Sequence, residues 1–308
     1  MIFSFIWLAI RDFFRYLYPD KFYIRMKNIL FPTDFSQTAE NAYVYALTMA
    51  KSLNANLIVM HSYDLPVLSS LYAGKPEKVD NVYEQIELKN FEDFKAQGEK
   101  LRKIAEDLEL DSVNIRFVLE KGDLILNILE AISNENIDLL VMGTTGQSGF
   151  DKKFFGSNTV NTIKSVNIPI LSIPPLAKYS KLKTIGFTTL FKESDKKPLE
   201  EILRIAQAYN AEVKCLHVTK DVSNPALLQT IDEWEKRYKN DKLRIIMTKQ
   251  TMPSMEEQIS KFIENNNIDM LAMVKRNQGF FQSIFSSSLS LKLSTSLTTP
   301  ILILKEQK

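Results

Sequence analysis

The stretch KNILFPTDFSQTAENAYVYALTMAKSLNANLIVMHS, residues 27–62, reads as a strand, a helix and a second strand in succession. Residues 28–31 form a short apolar run. Pro32-Thr33-Asp34-Phe35-Ser36 follows as a turn, and a helical pattern then continues to about Leu53. Ser36 is placed to cap that helix by accepting a bond from an early backbone amide. Residues 57–60 are continuously aliphatic, as expected of a strand buried on both faces. A helix between two such strands implies a right-handed crossover and a parallel sheet. The alternation continues with a charged helical pattern over 83–108, a strand-like run over 113–119 and a helical run over 124–132. Buried strands over 139–142 and 170–173 complete the set. The fold class is α/β, an open five-stranded parallel sheet with helices on both faces.

The second half repeats the first. Lys27, Asn54-Ala55 and His61 recur 156 positions later as Lys183, Asn210-Ala211 and His217. Ile137-Asp138 and Pro169-Ile170-Leu171 recur 131 positions later as Ile268-Asp269 and Pro300-Ile301-Leu302. The difference of 25 residues is a deletion in the second copy between its second and fourth strands, where the first copy carries residues 66–78. The expected organisation is a first domain over 26–175, a linker over 176–182 and a second domain over 183–306.

Composition narrows the classes of function. Of 308 residues 45% are hydrophobic and 25% charged, which excludes a disordered chain, a collagen and a disulfide scaffold. A net charge of +2 gives no general electrostatic drive toward nucleic acid. One cysteine cannot form an internal disulfide, and two histidines leave little for a zinc site, so no metal site is expected. A reducing, cytoplasmic compartment is the simplest reading. Residues 1–25 stand apart: Phe3, Ile6, Trp7, Ile10, Phe13, Phe14 and Leu17 follow helical spacing opposite Ser4, Arg11 and Arg15. Their apolar run is too short to span a bilayer and lacks the features of a secretory signal. Three readings stay open for this segment. It is an interfacial helix on a membrane or a partner, a segment packed on the domain behind it, or a misassigned start whose true beginning is Met26.

Open parallel sheets bind ligands outside the carboxyl ends of their strands. Two segments meet that condition in the first copy. Pro32-Thr33-Asp34 places a carboxylate after the first strand. Met142-Gly143-Thr144-Thr145-Gly146, nine further residues, and then Gly156-Ser157-Asn158-Thr159 place glycines after the fourth strand and at a helix start. Glycines let backbone amides approach an anion, and unpaired amides at a helix N-terminus hold phosphate with help from the helix dipole. Asp34 is then an acceptor for ribose hydroxyls. Plainer readings stand beside these. The glycines end a strand and begin a helix, Asp34 caps a helix, and Lys152 and Lys153 are solvated surface rather than phosphate ligands. His61 and His217 sit at equivalent strand ends and read as packing residues, and Cys215 as inert core.

The combination resembles the universal stress protein family, whose ATP-binding members carry G-x2-G-x9-G-[ST] after the fourth strand. Gly143, Gly146, Gly156 and Ser157 fit that pattern without a gap, and ILFPTDFS with His61 is also similar. The resemblance implies a tandem of two such Rossmann-like domains. It implies that Pro32, Thr33 and Asp34 contact adenosine, that Ser62 lies near adenine, and that Met142, Gly143 and Gly146 line the nucleotide. Gly156, Ser157, Asn158 and Thr159 would hold phosphates. ATP is the implied ligand, with or without Mg2+, and AMP and ADP are alternatives. Family members commonly dimerise through their last strands. Residues 170–173 and 301–304 are therefore candidate contacts, for a pseudo-dimer within the chain and for a homodimer.

In the second copy Asp34 is replaced by Leu190, Gly143 by Val274, Gly146 by Asn277 and Gly156 by Ser287. That half is expected to be a non-binding partner. There is no P-loop motif and no nucleophile elbow, so the expectation is a nucleotide-regulated stress-response or interaction protein without catalytic residues. The alternatives are a nucleotide-independent scaffold acting through an unknown protein partner, and a slow ATPase or autokinase.

Overall fold

A computed structural model describes residues 26–66, 76–144, 156–238, 241–276 and 298–306. The extension 1–25, Gly146, Lys152, Lys153, Asn277 and Ser287 lie outside the described residues. The first half runs β1 (Asn28–Pro32), α1 (Gln37–Leu53), β2 (Asn56–Tyr63), α2 (Pro76–Asp107), β3 (Ile115–Lys121), α3 (Leu124–Glu135), β4 (Leu139–Gly143), α4 (Ser157–Ser165) and β5 (Ile170–Ile173). The second runs β6 (Thr184–Thr188), α5 (Lys196–Tyr209), β7 (Glu212–Thr219), α6 (Pro225–Arg237), β8 (Leu243–Lys249), α7 (Met255–Asn266), β9 (Met270–Lys275) and β10 (Ile301–Lys305).

The strands form one ten-stranded sheet, ordered β3-β2-β1-β4-β5-β10-β9-β6-β7-β8. Within each half every pair is parallel. The halves meet through β5 and β10, which run antiparallel with Leu171 opposite Leu302. The two last strands expected as contacts thus join inside the chain, and the two five-stranded sheets become one. Two further differences from the sequence reading concern length. α2 starts at Pro76 rather than 83, with proline in the first-turn position it tolerates. At 32 residues against 13 in α6, it carries most of the first copy's extra length, so the insertion is largely helix.

Side chains alternate across the sheet as the two-residue period of a strand requires. From β1, Ile29 and Phe31 pack with Tyr43 and Leu47 of α1 and Leu101 of α2, in a layer that continues into Leu199, Ile202 and Trp234 of the second half. Leu30 faces the other way, with Ile128 of α3, Ile163 of α4 and Phe262 of α7. Both layers cross the β5–β10 seam.

Repeated polar residues have repeated structural roles. Asn54 and Asn210 end α1 and α5 in the left-handed conformation, and Asn136 and Asn267 do so for α3 and α7. Asp138 accepts hydrogen bonds from the amides of Lys27 and Asn28, at 2.6 and 3.1 Å, and fixes the start of β1. Asp269 holds Lys183 and Thr184 in the same way, both at 2.8 Å.

Candidate functional site

In the first half the chain leaves β1 toward β2 on one side, and β4 lies on the other. The carboxyl ends of β1 and β4 therefore form the switch point where an open α/β sheet leaves a crevice. Asp34 follows β1, Gly143 ends β4, and Gly156-Ser157 begins α4. The topology brings these three sequence-predicted segments to one end of the sheet.

The β1 turn is tightly specified. Thr33 is buried, and its amide donates to the Met60 carbonyl at 2.9 Å. Its hydroxyl accepts from the Phe35 amide at 3.0 Å, which supports Phe35 at a φ of 58°. Ser36 caps α1, accepting from the Ala39 amide at 3.2 Å. Asp34 is half-buried, and its Oδ1 accepts from the Ser36 amide at 3.0 Å. Asp34 is therefore not the cap of α1, a role that Ser36 takes, but its carboxylate braces the turn ahead of that helix at the strand end. His61 Nδ1 lies 2.7 Å from the Thr33 carbonyl, and the ring packs on Phe35 with centroids 4.9 Å apart. Its place is structural, since His217 makes the same contact with Thr189 at 2.9 Å and packs on Phe191.

At the other side of the crevice Met142 is core and Gly143 is half-buried. The Gly156 amide donates to the Thr144 carbonyl at 2.7 Å. Thr159 is buried, and its hydroxyl donates to the carbonyls of Gly143 and Thr144 at 3.0 and 3.2 Å. The Thr159 hydroxyl therefore ties the helix to the strand end and is not itself turned to a ligand. What α4 offers is backbone. Gly156 has no side chain to cap it, and among the described residues nothing accepts from the amides of Ser157, Asn158 and Thr159. Ser157 and Asn158 are exposed. α1, α3, α6 and α7 by contrast are each capped by a side chain. Uncapped amides at the positive end of a helix fit an anion.

Ser62, at the end of β2, accepts a hydrogen bond from Asn127 Nδ2 at 3.1 Å. Asn127 was not anticipated from the sequence, nor was the turn beside it. There Gly122, at a φ of 102°, donates its amide to the Tyr63 carbonyl at 2.9 Å, and Asp123 caps α3. The left-handed φ needs a glycine, so a Gly-Asp pair after a strand was the available signal.

Near the corresponding strand ends of the second half lies a buried ion pair. Asp195 is fully buried ahead of α5. One of its oxygens accepts from the Thr189 hydroxyl at 2.9 Å and from the amides of Leu190 and Lys192 at 3.0 and 3.3 Å. The other pairs with the Arg276 guanidinium at the end of β9, and Arg276 Nε lies 3.8 Å from Glu306. The Ser194 hydroxyl donates to Glu306 at 3.0 Å. Asp195 and Arg276 correspond by the repeat shifts to Ala39 and Thr145 of the first copy. Cys215 is fully buried, and burial pushes its thiol up from the ordinary cysteine range. Among the described residues no group of three His, Cys, Asp or Glu side chains is arranged to hold a metal, and no helix is long and apolar enough to cross a membrane.

The model of the universal stress protein family matches the chain twice, over residues 26–174 and 181–305. A universal stress protein of Methanocaldococcus jannaschii is 29% identical over 158 residues, covering 49% of this chain and 96% of its own. One from Synechocystis is similar along the tandem, 22% identical over 292 residues, covering 90% of this chain and 99% of its own. Among solved structures, a universal stress protein from Archaeoglobus fulgidus superposes with a TM-score of 0.64 at 18% identity, covering 93% of this chain and 98% of that one.

Proposed function

The chain belongs to the universal stress protein family, and from that premise we propose that its first domain binds an adenine nucleotide, ATP foremost, at the carboxyl ends of β1 and β4. One observation carries the reading: the two halves keep the same bonds at their strand starts and strand-end histidines but differ in sequence at the crevice. Asp138 and Asp269, His61 and His217, and Thr33 and Thr189 keep equivalent bonds in both. Asp34 and Gly143 have no counterpart in the second, which carries Leu190 and Val274 there. The second places the buried Asp195–Arg276 pair near the corresponding strand ends. Residues retained in one copy and abandoned in the other are those that a shared fold does not need.

In this reading Pro32, Thr33 and Asp34 meet the adenosine, Asp34 as a ribose acceptor, and Ser62 lies toward the base. Gly143 and Gly146 leave room for the phosphates. The amides of Ser157, Asn158 and Thr159 bind them, while Gly156 and the Thr159 hydroxyl hold the helix in place. The domain binds without turning over: the bound nucleotide adds charge beside the start of α4, and a protein partner reads the resulting surface.

Calorimetric titration of Mg-ATP tests this, with Gly143→Val beside it to copy Val274. One site per chain, abolished by the substitution, is expected. Ligand at a hundredfold excess over Kd would also stabilise the fold by about 2.7 kcal/mol. Absence of heat with ATP, ADP and AMP alike would refute the reading and leave a nucleotide-independent interaction module. Conversion of bound ATP to ADP or phosphoprotein, lost in Asp34→Ala, would make the domain an enzyme instead.

A further inference from the structure

The helix that presents the proposed phosphate site is anchored at its far end by the other domain. α4 has nine residues, too few to be stable on its own in water. Its start is held by first-domain groups, through the Gly156 amide and the Thr159 hydroxyl. At its end the Thr162 carbonyl accepts from the Val166 amide, which leaves later carbonyls to be satisfied. Lys275, the last residue of β9, reaches across the β5–β10 seam and donates to two of them. Its ammonium hydrogen-bonds the carbonyls of Ile163 and, at 2.9 Å, Lys164. A cation at the carboxyl end of a helix complements the dipole that an anion complements at the amino end.

We propose that Lys275 is a positioning residue for nucleotide binding: the second domain clamps the carboxyl end of α4 and so holds the phosphate-binding amides of the first domain in place. Nine residues span about 13 Å, so Lys275 acts through the helix and not by contact with the ligand. The clamp works against a cost that an incidental surface lysine would not meet, because burial, with Lys305 alongside, pulls the ammonium below the ordinary lysine range. The first copy has Thr144 at the corresponding position, too short to make such a contact. Arg276, next along the strand, holds Asp195. The end of β9 thus joins the first domain's site helix to the buried Asp195 of the second.

This inference rests on the nucleotide reading above, and its test separates the two. Hydrogen exchange of the ligand-free full-length protein, and calorimetry with Mg-ATP, are run on Lys275→Met, Lys275→Arg and Lys305→Met. Lys305 is exposed and lies opposite Lys275 on β10, so its loss removes a neighbouring charge but no clamp. Lys275→Met is expected to speed exchange of the α4 amides before any ligand is added, and to weaken ATP binding about three- to tenfold. Lys275→Arg is expected to restore both, and Lys305→Met to stay within twofold of wild type. Unchanged α4 exchange, or an ATP affinity for Lys275→Met within 1.5-fold of wild type, would overturn the proposal. So would equal losses in Lys275→Met and Lys305→Met. If the wild-type protein binds no nucleotide, the site reading falls, and the positioning role falls with it even where exchange shows that the clamp exists.

Discussion

Replacing Arg276 with methionine removes the guanidinium from a carboxylate that has no access to water. Asp195 is 0% exposed, so its charge is sustained only by the groups around it. Breaking a buried pair by deleting one partner costs about 3–5 kcal/mol, because it strands the other charge. Here the carboxylate keeps the Thr189 hydroxyl and the amides of Leu190 and Lys192, which places the expected loss near the lower end, about 3 kcal/mol. Asp195→Asn keeps the shape and removes the charge. Arg276 is one-fifth exposed and retains Glu306, so that variant should lose only about 1–2 kcal/mol. The double variant should fall short of the summed losses by at least about 1 kcal/mol, the mark of direct coupling. Urea unfolding followed by circular dichroism and by tryptophan emission measures all three, and Trp234, buried against Phe191, reports on the second domain. A loss below about 0.5 kcal/mol for Arg276→Met, or strictly additive losses, would mean that the pair is not coupled and does not stabilise the fold.

Three further outcomes are expected. Tyr43→Phe should be neutral or stabilise by up to about 1 kcal/mol, since the buried hydroxyl has no hydrogen-bond partner among the described residues; a loss above 1 kcal/mol in denaturant unfolding would contradict this. Gly186→Ala places a Cβ 2.9 Å from Phe262 and 3.0 Å from Ile268, and should cost about 1–3 kcal/mol, partly recovered by Phe262→Leu. Buried tyrosines should make the fold sensitive to alkali: burial raises Tyr45 to about 12 and pushes Tyr43, Tyr209 and Tyr238 higher still. Because the folded state holds these protons more tightly, their contribution is intact below the unfolded value near pH 10 and is lost as pH rises toward the folded values. A melting temperature that stays level to pH 11.5 would refute the assignment.

The strands were legible because their aliphatic runs are continuous, as burial on both faces demands, and residues 170–173 coincide with β5. β3 was read two residues early. Val113 extends the apolar alternation, yet its amide bonds back to the Leu110 carbonyl in the turn before the strand. Repetition disclosed Asp138 and Asp269 but not their work, because a carboxylate bonded to backbone amides more than 80 residues away has no periodic signature. The Asp195–Arg276 pair escaped for the same reason: its partners are 81 residues apart. It left one trace, opposite charges entering where the first copy has Ala39 and Thr145. The Gly-rich segment was conspicuous by spacing alone. That α4 offers amides there while the Thr159 hydroxyl is already engaged is a matter of geometry, which residue type does not encode.

The junction of β5 with β10 has a thermodynamic consequence. Only the short connection from Ile173 to Thr184 separates the two halves in sequence, so the antiparallel contact forms within one molecule. A short tether gives the partner strand an effective concentration in the millimolar range. Two separate chains associating through the same strands would come apart on sufficient dilution, whereas this seam is independent of how much protein is present. The first half is therefore always accompanied by the second, in fixed one-to-one proportion, even where copies of the chain are few.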